Sequence, residues 1–164
     1  MKRLTIVRHG KAVQAGKAHA DFERALTDRG ERDAAMMGQR LAQQQPRPDG
    51  VISSPAKRAL TTATIVAHEL GFPAERILTE AKIYEADMAD LLEAIRGIDN
   101  QFADVILVGH NPGFEQLSEY LTGEQLDKLP TSGVVRVEFT VDEWSAVAQG
   151  QGKMVLFDSP KNQK

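Results

Sequence analysis

Val105-Ile106-Leu107-Val108-Gly109 is the most apolar run of the chain, four β-prone residues in a row stopped by a glycine. A strand with one wet face alternates apolar and polar residues. A run with no alternation suits a strand covered on both faces, and such strands belong to largely parallel sheets flanked by helices. The next residues, His110-Asn111-Pro112-Gly113, change character at once. Asn111 as N-cap and Pro112 as first residue open a helix on which Phe114, Leu117 and Leu121 face inward.

The same succession, apolar strand then polar turn, occurs twice upstream. Leu4-Thr5-Ile6-Val7 gives way to Arg8-His9-Gly10, and Val51-Ile52-Ser53 to Ser54-Pro55, with Arg58 in the turn beyond. Between them, residues 11–24 form a polar loop that carries Lys11, His19 and Asp21. Thr27-Asp28 starts a helix, with Asp28 three residues before Glu31 in capping-box spacing and Ala34, Met37 and Leu41 on one face; the Gln43-Gln44-Gln45-Pro46 run closes it. Ser54 and Pro55 serve as cap and first turn of a helix over 56–70, whose core stripe is Leu60, Ala63, Ala67 and Leu70. Ile77-Leu78 is a short extended piece. Ile83-Tyr84-Glu85 leads into a helix capped by Asp87, with Leu91, Leu92, Ile95 and Ile98 aligned. After the helix that Asn111 opens, Val135, Val137, Phe139 and Val141 alternate with Arg136, Glu138 and Thr140, a strand with one wetter face. Residues 144–147 and 154–157 complete an antiparallel edge. This order predicts a single α/β domain over residues 1–158, a three-layer sandwich of a mixed, mostly parallel sheet with helices on both faces, and a flexible tail over 159–164.

Composition narrows the chemistry. The chain has 164 residues, enough to bury a core without staples, and no cysteine, which removes disulfides, thiolate metal sites and cysteine nucleophiles together. A net charge of −3, with charges of both signs interspersed, offers no broad basic field for nucleic acid. Met1-Lys2-Arg3 is basic like the start of a signal peptide, yet the apolar stretch after it ends at Arg8, and no span of ~20 apolar residues follows. No membrane association and a cytoplasmic location are expected.

In an open α/β sheet, ligands bind beyond the carboxyl ends of the parallel strands. Arg8, His9, Arg58 and His110 would meet there, beside two helix amino ends. Such a site suits a dianion, above all a phosphoryl group, whose oxygens guanidinium groups bind in pairs. No G-x-x-x-x-G-K-[ST] loop and no aspartate cluster with metal-ligand spacing is present, so neither metal nor cofactor is expected. An imidazole is then the natural covalent nucleophile.

Arg8-His9-Gly10, Ser53-Ser54-Pro55-Ala56-Lys57-Arg58-Ala59 and Gly109-His110-Asn111-Pro112 together resemble the signatures of the histidine phosphatase superfamily, with its phosphoglycerate-mutase-like fold. The short chain and Ile83-Tyr84-Glu85-Ala86 are similar to its SixA-like phosphohistidine phosphatases. The resemblance implies that His9 is the nucleophile that becomes phosphorylated and that Arg8, Arg58 and His110 bind the phosphoryl group. Glu85 matches the carboxylate that protonates the leaving group, with a plain helix-leading role as its alternative. Asn111 is a phosphate-binding candidate, with the N-cap as its alternative. Ser54 reads first as a cap, Lys11, His19 and Asp21 as solvated loop residues, and Asp21, Arg24 and Asp28 as a surface network. The substrate implied is a protein bearing phosphohistidine, because imidazole leaves more readily than an alkoxide. Two alternatives stay open: a phosphomonoesterase for sugar phosphates or nucleotides, and a phosphate-binding module without catalysis. A monomer is expected.

Overall fold

The computed structural model describes residues 1–16, 20–44 and 47–162. His19, Gln45 and Pro46 lie outside them, as do the last two residues of the tail. Strands β1 (Lys2–Arg8), β2 (Gly50–Ser53), β3 (Leu78–Thr79), β4 (Asp104–Gly109), β5 (Val134–Phe139) and β6 (Lys153–Asp158) form one sheet in the order β3-β2-β4-β1-β5-β6. The first four strands in that order run parallel, and β5 and β6 are antiparallel to their neighbours. This is the expected mixed, mostly parallel sheet.

Helices α1 (Asp28–Gln44) and α2 (Lys57–Glu69) cover one face, and α3 (Met88–Arg96) and α4 (Gly113–Thr122) the other. Strand β4 shows why its sequence never alternates. Val105 and Leu107 pack with Leu91, Ile95, Phe114 and Leu117, whereas Ile106 and Val108 pack with Met37, Leu41, Ala63 and Val66. Each such side chain, taken fully out of water, contributes about 1.5–3 kcal/mol.

Local expectations shift where long-range partners intervene. Thr27, not Asp28, caps α1: its Oγ1 accepts the Gly30 N–H at 3.0 Å. Helix α2 starts at Lys57, one residue later than the first predicted position, and its buried stripe is Ala59, Ala63, Val66 and Ala67, with Leu60 half-buried. Asp87 and Asp90 form the capping box of α3. The wetter face of β5 is less wet than its pattern, since Arg136 is buried and its Nε donates to Thr5 Oγ1. Residues Trp144–Ala146 form a 3-10 turn and not a strand. The indole is fully buried there and its Nε1 donates to Phe102 O at 2.8 Å, which an exposed edge position would not allow. The tail from Ser159, expected to fray, is held by Arg40, which donates to Ser159 O (2.9 Å) and Asn162 O (2.7 Å) and pairs with Asp158.

Candidate active site

Parallel pairing brings three strand ends level. The His9 N–H donates to Gly109 O and the Ser54 N–H to Val108 O, each at 2.9 Å, so the residues leaving β1, β2 and β4 stand side by side. The His9 and His110 rings lie 5.2 Å apart, centroid to centroid. Close approach beneath them requires glycine: a Cβ on Gly109 would meet the Phe114 ring at 2.5 Å and Ile83 Cγ2 at 2.8 Å.

His9 is 8% exposed, and its Nδ1 lies 2.7 Å from Gly10 O. A carbonyl oxygen only accepts, so Nδ1 carries the proton and Nε2 of the neutral ring keeps its lone pair. Burial first, and then His110, Arg58 and Arg8 as neighbours, draw the His9 pKa down to about 3, against the opposing pull of the Gly10 carbonyl. The ring is therefore neutral at physiological pH. Gly10 is fixed in turn by its N–H to Thr62 Oγ1 at 2.9 Å, and that hydroxyl donates to Arg58 O at 2.8 Å.

Arg8 donates from Nη1 to Leu129 O at 3.0 Å. Arg58, 6% exposed, donates from Nη1 to the Asp21 carbonyl at 2.7 Å and from Nη2 to Asp21 Oδ2 at 3.2 Å. His110 Nε2 lies 2.8 Å from Ser54 Oγ, which also accepts the Ala56 N–H. Ser54 is not the helix cap that its place before the proline predicts: the cap position of α2 is Ala56, with no side-chain cap, and the Ser54 hydroxyl closes the turn before it and meets His110. Burial, then the charge of Arg58, lowers the His110 pKa to about 4. Arg8 Nε, Arg58 Nε, His110 Nδ1 and Ser132 Oγ are buried with no hydrogen-bond partner among the described residues. Buried polar groups left unpaired cost about 1–3 kcal/mol each, so several of them around one histidine fit a site that an oxygen-rich anion completes.

Sequence reasoning passed over two contributors. Asp21, read as a solvated loop or surface-network residue, reaches into the site: it pairs with Arg24 and Arg58, and its Oδ2 accepts the Tyr84 hydroxyl at 2.6 Å. The Tyr84 bond first, with Arg24 and Arg58 adding to it, holds the Asp21 carboxyl down at about 2, and the same bond pushes the Tyr84 hydroxyl up to about 12. Tyr84 also stands edge-on to His110 at 5.6 Å and to Phe22 at 5.1 Å. No local pattern marks Asp21, because its partners come from a helix and a loop tens of residues away. Tyr84 is marked in the sequence only by its place in Ile83-Tyr84-Glu85-Ala86.

Glu85 is exposed and lines, with His110 and Asn111, a small cleft of about 80 Å³. Its backbone, like that of Ser132, lies in the left-handed region (φ 53° and 58°), the conformational strain that collects at functional sites. The cap position of α4 is Pro112 and its first residue Gly113, one later than expected, yet Asn111 is committed to structure: Oδ1 accepts the Glu115 N–H at 3.2 Å, and Nδ2 donates to Leu129 O (2.9 Å) and Glu115 Oε2 (3.1 Å). Among the described residues, no group of three or more His, Cys, Asp or Glu side chains is placed to hold a metal ion, and no helix is long and apolar enough to cross a membrane.

The model of the histidine phosphatase superfamily (branch 1) matches residues 4–99. An uncharacterised protein from Picosynechococcus is 31% identical over 96% of both chains. Among solved structures, a protein from Agrobacterium tumefaciens described as a candidate phosphohistidine phosphatase SixA superposes with a TM-score of 0.81 at 28% identity, covering 97% of this chain and 98% of that one. The protein histidine phosphatase SixA in complex with tungstate superposes with a TM-score of 0.81 at 25% identity, covering 96% and 97%.

Proposed function

Because the chain belongs to the histidine phosphatase superfamily (branch 1), we propose that it hydrolyses phosphohistidine on a partner protein through a phosphorylated His9. The observation that carries this reading is the state of His9: buried, neutral, with Nδ1 bound to Gly10 O, Nε2 without a hydrogen bond among the described residues, and the cations Arg58 and Arg8 near enough to lower its pKa. In the first half-reaction Nε2 attacks phosphorus, the P–N bond to the substrate imidazole breaks, and that ring takes up a proton from solvent. In the second, water attacks phospho-His9, and phosphate leaves with the ring restored. Arg8, Arg58 and His110 bind the equatorial oxygens throughout, where the charge spreads in the transition state.

Protonation of the leaving group separates the substrate classes. An alkoxide needs a strong, well-placed acid. Asp21 is ionised down to about pH 2 and is no acid at neutral pH. Glu85, the expected proton donor, is exposed and hydrogen-bonded to no side chain or backbone group among the described residues. Phosphohistidine, whose imidazole leaves more readily than an alkoxide, asks less of a proton donor than a phosphate ester does, and the likeness to SixA supports it as the substrate.

Incubation with a ³²P-phosphohistidine protein should leave acid-labile, alkali-stable phosphate on His9. His9→Ala should lose the label and on the order of 10³-fold or more in turnover, while EDTA leaves the wild type unaffected. Turnover that survives His9→Ala, or collapses with EDTA, overturns the mechanism. Faster turnover of sugar phosphates than of phosphohistidine overturns the substrate and leaves the mechanism standing. Phosphate binding without turnover of any donor supports the non-catalytic module.

A further inference from the structure

Beside the pocket lies a second, open cleft of about 320 Å³, lined by Arg8, Lys11, Arg29, Lys128, Lys161 and the Pro130-Thr131 turn. It is cationic in a protein whose 23 acidic residues outnumber its 20 lysines and arginines. Those charges do not share one helix face. Arg8 ends β1, Lys11 follows in the loop, Arg29 sits in the first turn of α1, Lys128 precedes β5, and Lys161 comes from the tail. Like charges brought together from separate segments repel one another, so their convergence costs stability unless an anion offsets it.

The segments that carry Lys11, Lys128 and Lys161 are tied to the rest of the fold. A Cβ on Gly30 would stand 2.2 Å from Lys11 O, so glycine is what lets the start of α1 close on Lys11, and Thr27 N–H binds the same carbonyl at 2.9 Å. Lys128 neighbours Leu129, whose carbonyl receives Arg8 Nη1. Lys161 is carried by the segment that Arg40 ties down through Ser159 and Asn162. Among the described residues, Asp33 pairs with Arg29 at 3.6 Å and Glu115 acts on Arg8, and neither carboxylate lines the cleft.

We propose that this cleft docks an acidic segment flanking the phosphohistidine of the protein substrate. The proposal rests on the phosphohistidine reading above. Arg8 belongs to both sites, so a chain whose phosphorylated side chain lies on His9 would run its neighbouring carboxylates over Lys11, Lys128 and Lys161. An open cleft suits a protein segment, since small molecules are mostly enclosed by their pockets. Lysines, as hydrated point charges on flexible stems, match carboxylates scattered along a chain better than the fixed fork of one phosphate.

The test uses two synthetic phosphohistidine peptides, one with glutamates on both sides of the phosphohistidine and one with glutamines. The wild type should favour the glutamate peptide about tenfold in kcat/KM at low salt, and ~0.5 M salt should abolish the preference. K11E/K128E/K161E should lose or invert it while keeping its rate on the glutamine peptide within about twofold. If the triple variant does not fold, each single charge reversal should remove part of the preference. Equal turnover of both peptides by the wild type, or equal losses on both in the variants, removes the docking role. Turnover of neither peptide by the wild type overturns the phosphohistidine reading, and the docking role with it.

Discussion

His9 and His110 both hold their protons more weakly than an exposed histidine, at about 3 and about 4, because burial and the surrounding cations act in the same direction. A dianion reverses the local charge and favours imidazolium. Binding of sulfate, which is a dianion at about pH 5.5, should therefore take up on the order of one proton. Calorimetry in buffers of different ionisation heat reads this directly, and a binding heat independent of buffer would mean that neither ring responds. Asp21 is the other residue with a clear signature. Its carboxylate already occupies Arg58 Nη2, the group a phosphoryl oxygen would use. Asp21→Asn should tighten phosphate binding several-fold, and the Tyr84 titration followed by ultraviolet absorbance should move from about 12 towards 10. A Tyr84 midpoint that stays put would separate the two residues.

Among the elements, β4 and α4 set the position of His110, and Gly109 is the tightest joint between them. Gly109→Ala would drive a methyl into Phe114 and Ile83. A loss of about 1–3 kcal/mol in denaturant unfolding is expected, with lower turnover as His110 shifts. Thr27→Ala should cost about 1 kcal/mol through the cap of α1, with the site unaltered. What could be foreseen follows the same division. The ends of β1, β2 and β4 were legible because a strand buried on both faces and its abrupt polar stop are written in consecutive residues. Ser54 and Trp144 were half legible: serine before a helix and an aromatic between strands each had a local reading, and His110 in one case and the Phe102 carbonyl in the other decided the outcome. Asp21, Thr62 and the Leu129 carbonyl were illegible, because each serves the site only through a partner that folding brings from far along the chain.

For the whole molecule, the two histidines couple the site to stability. An unfolded histidine titrates near 6.5, whereas these rings stay neutral down to about 3 and about 4. Their contribution is present in full above about pH 7. Between roughly pH 6.5 and 4 the unfolded chain binds more protons, so stability falls as the pH falls, by up to about 1.4 kcal/mol per pH unit for each ring. Urea unfolding at pH 7.5 and 5 should show the decline, and H9N/H110N should flatten it. A pH-independent midpoint in the wild type would contradict the depressed values. The sheet order has one more outcome, for synthesis on the ribosome. Strand β1 pairs with residues 104–109 on one side and 134–139 on the other. At roughly 5–20 residues per second, the segment that leads into His9 therefore waits several seconds or more for either partner to be made. A strand made well before both of its partners is among the last to find its place, and a nascent chain halted before residue 104 should be a ready client for chaperones.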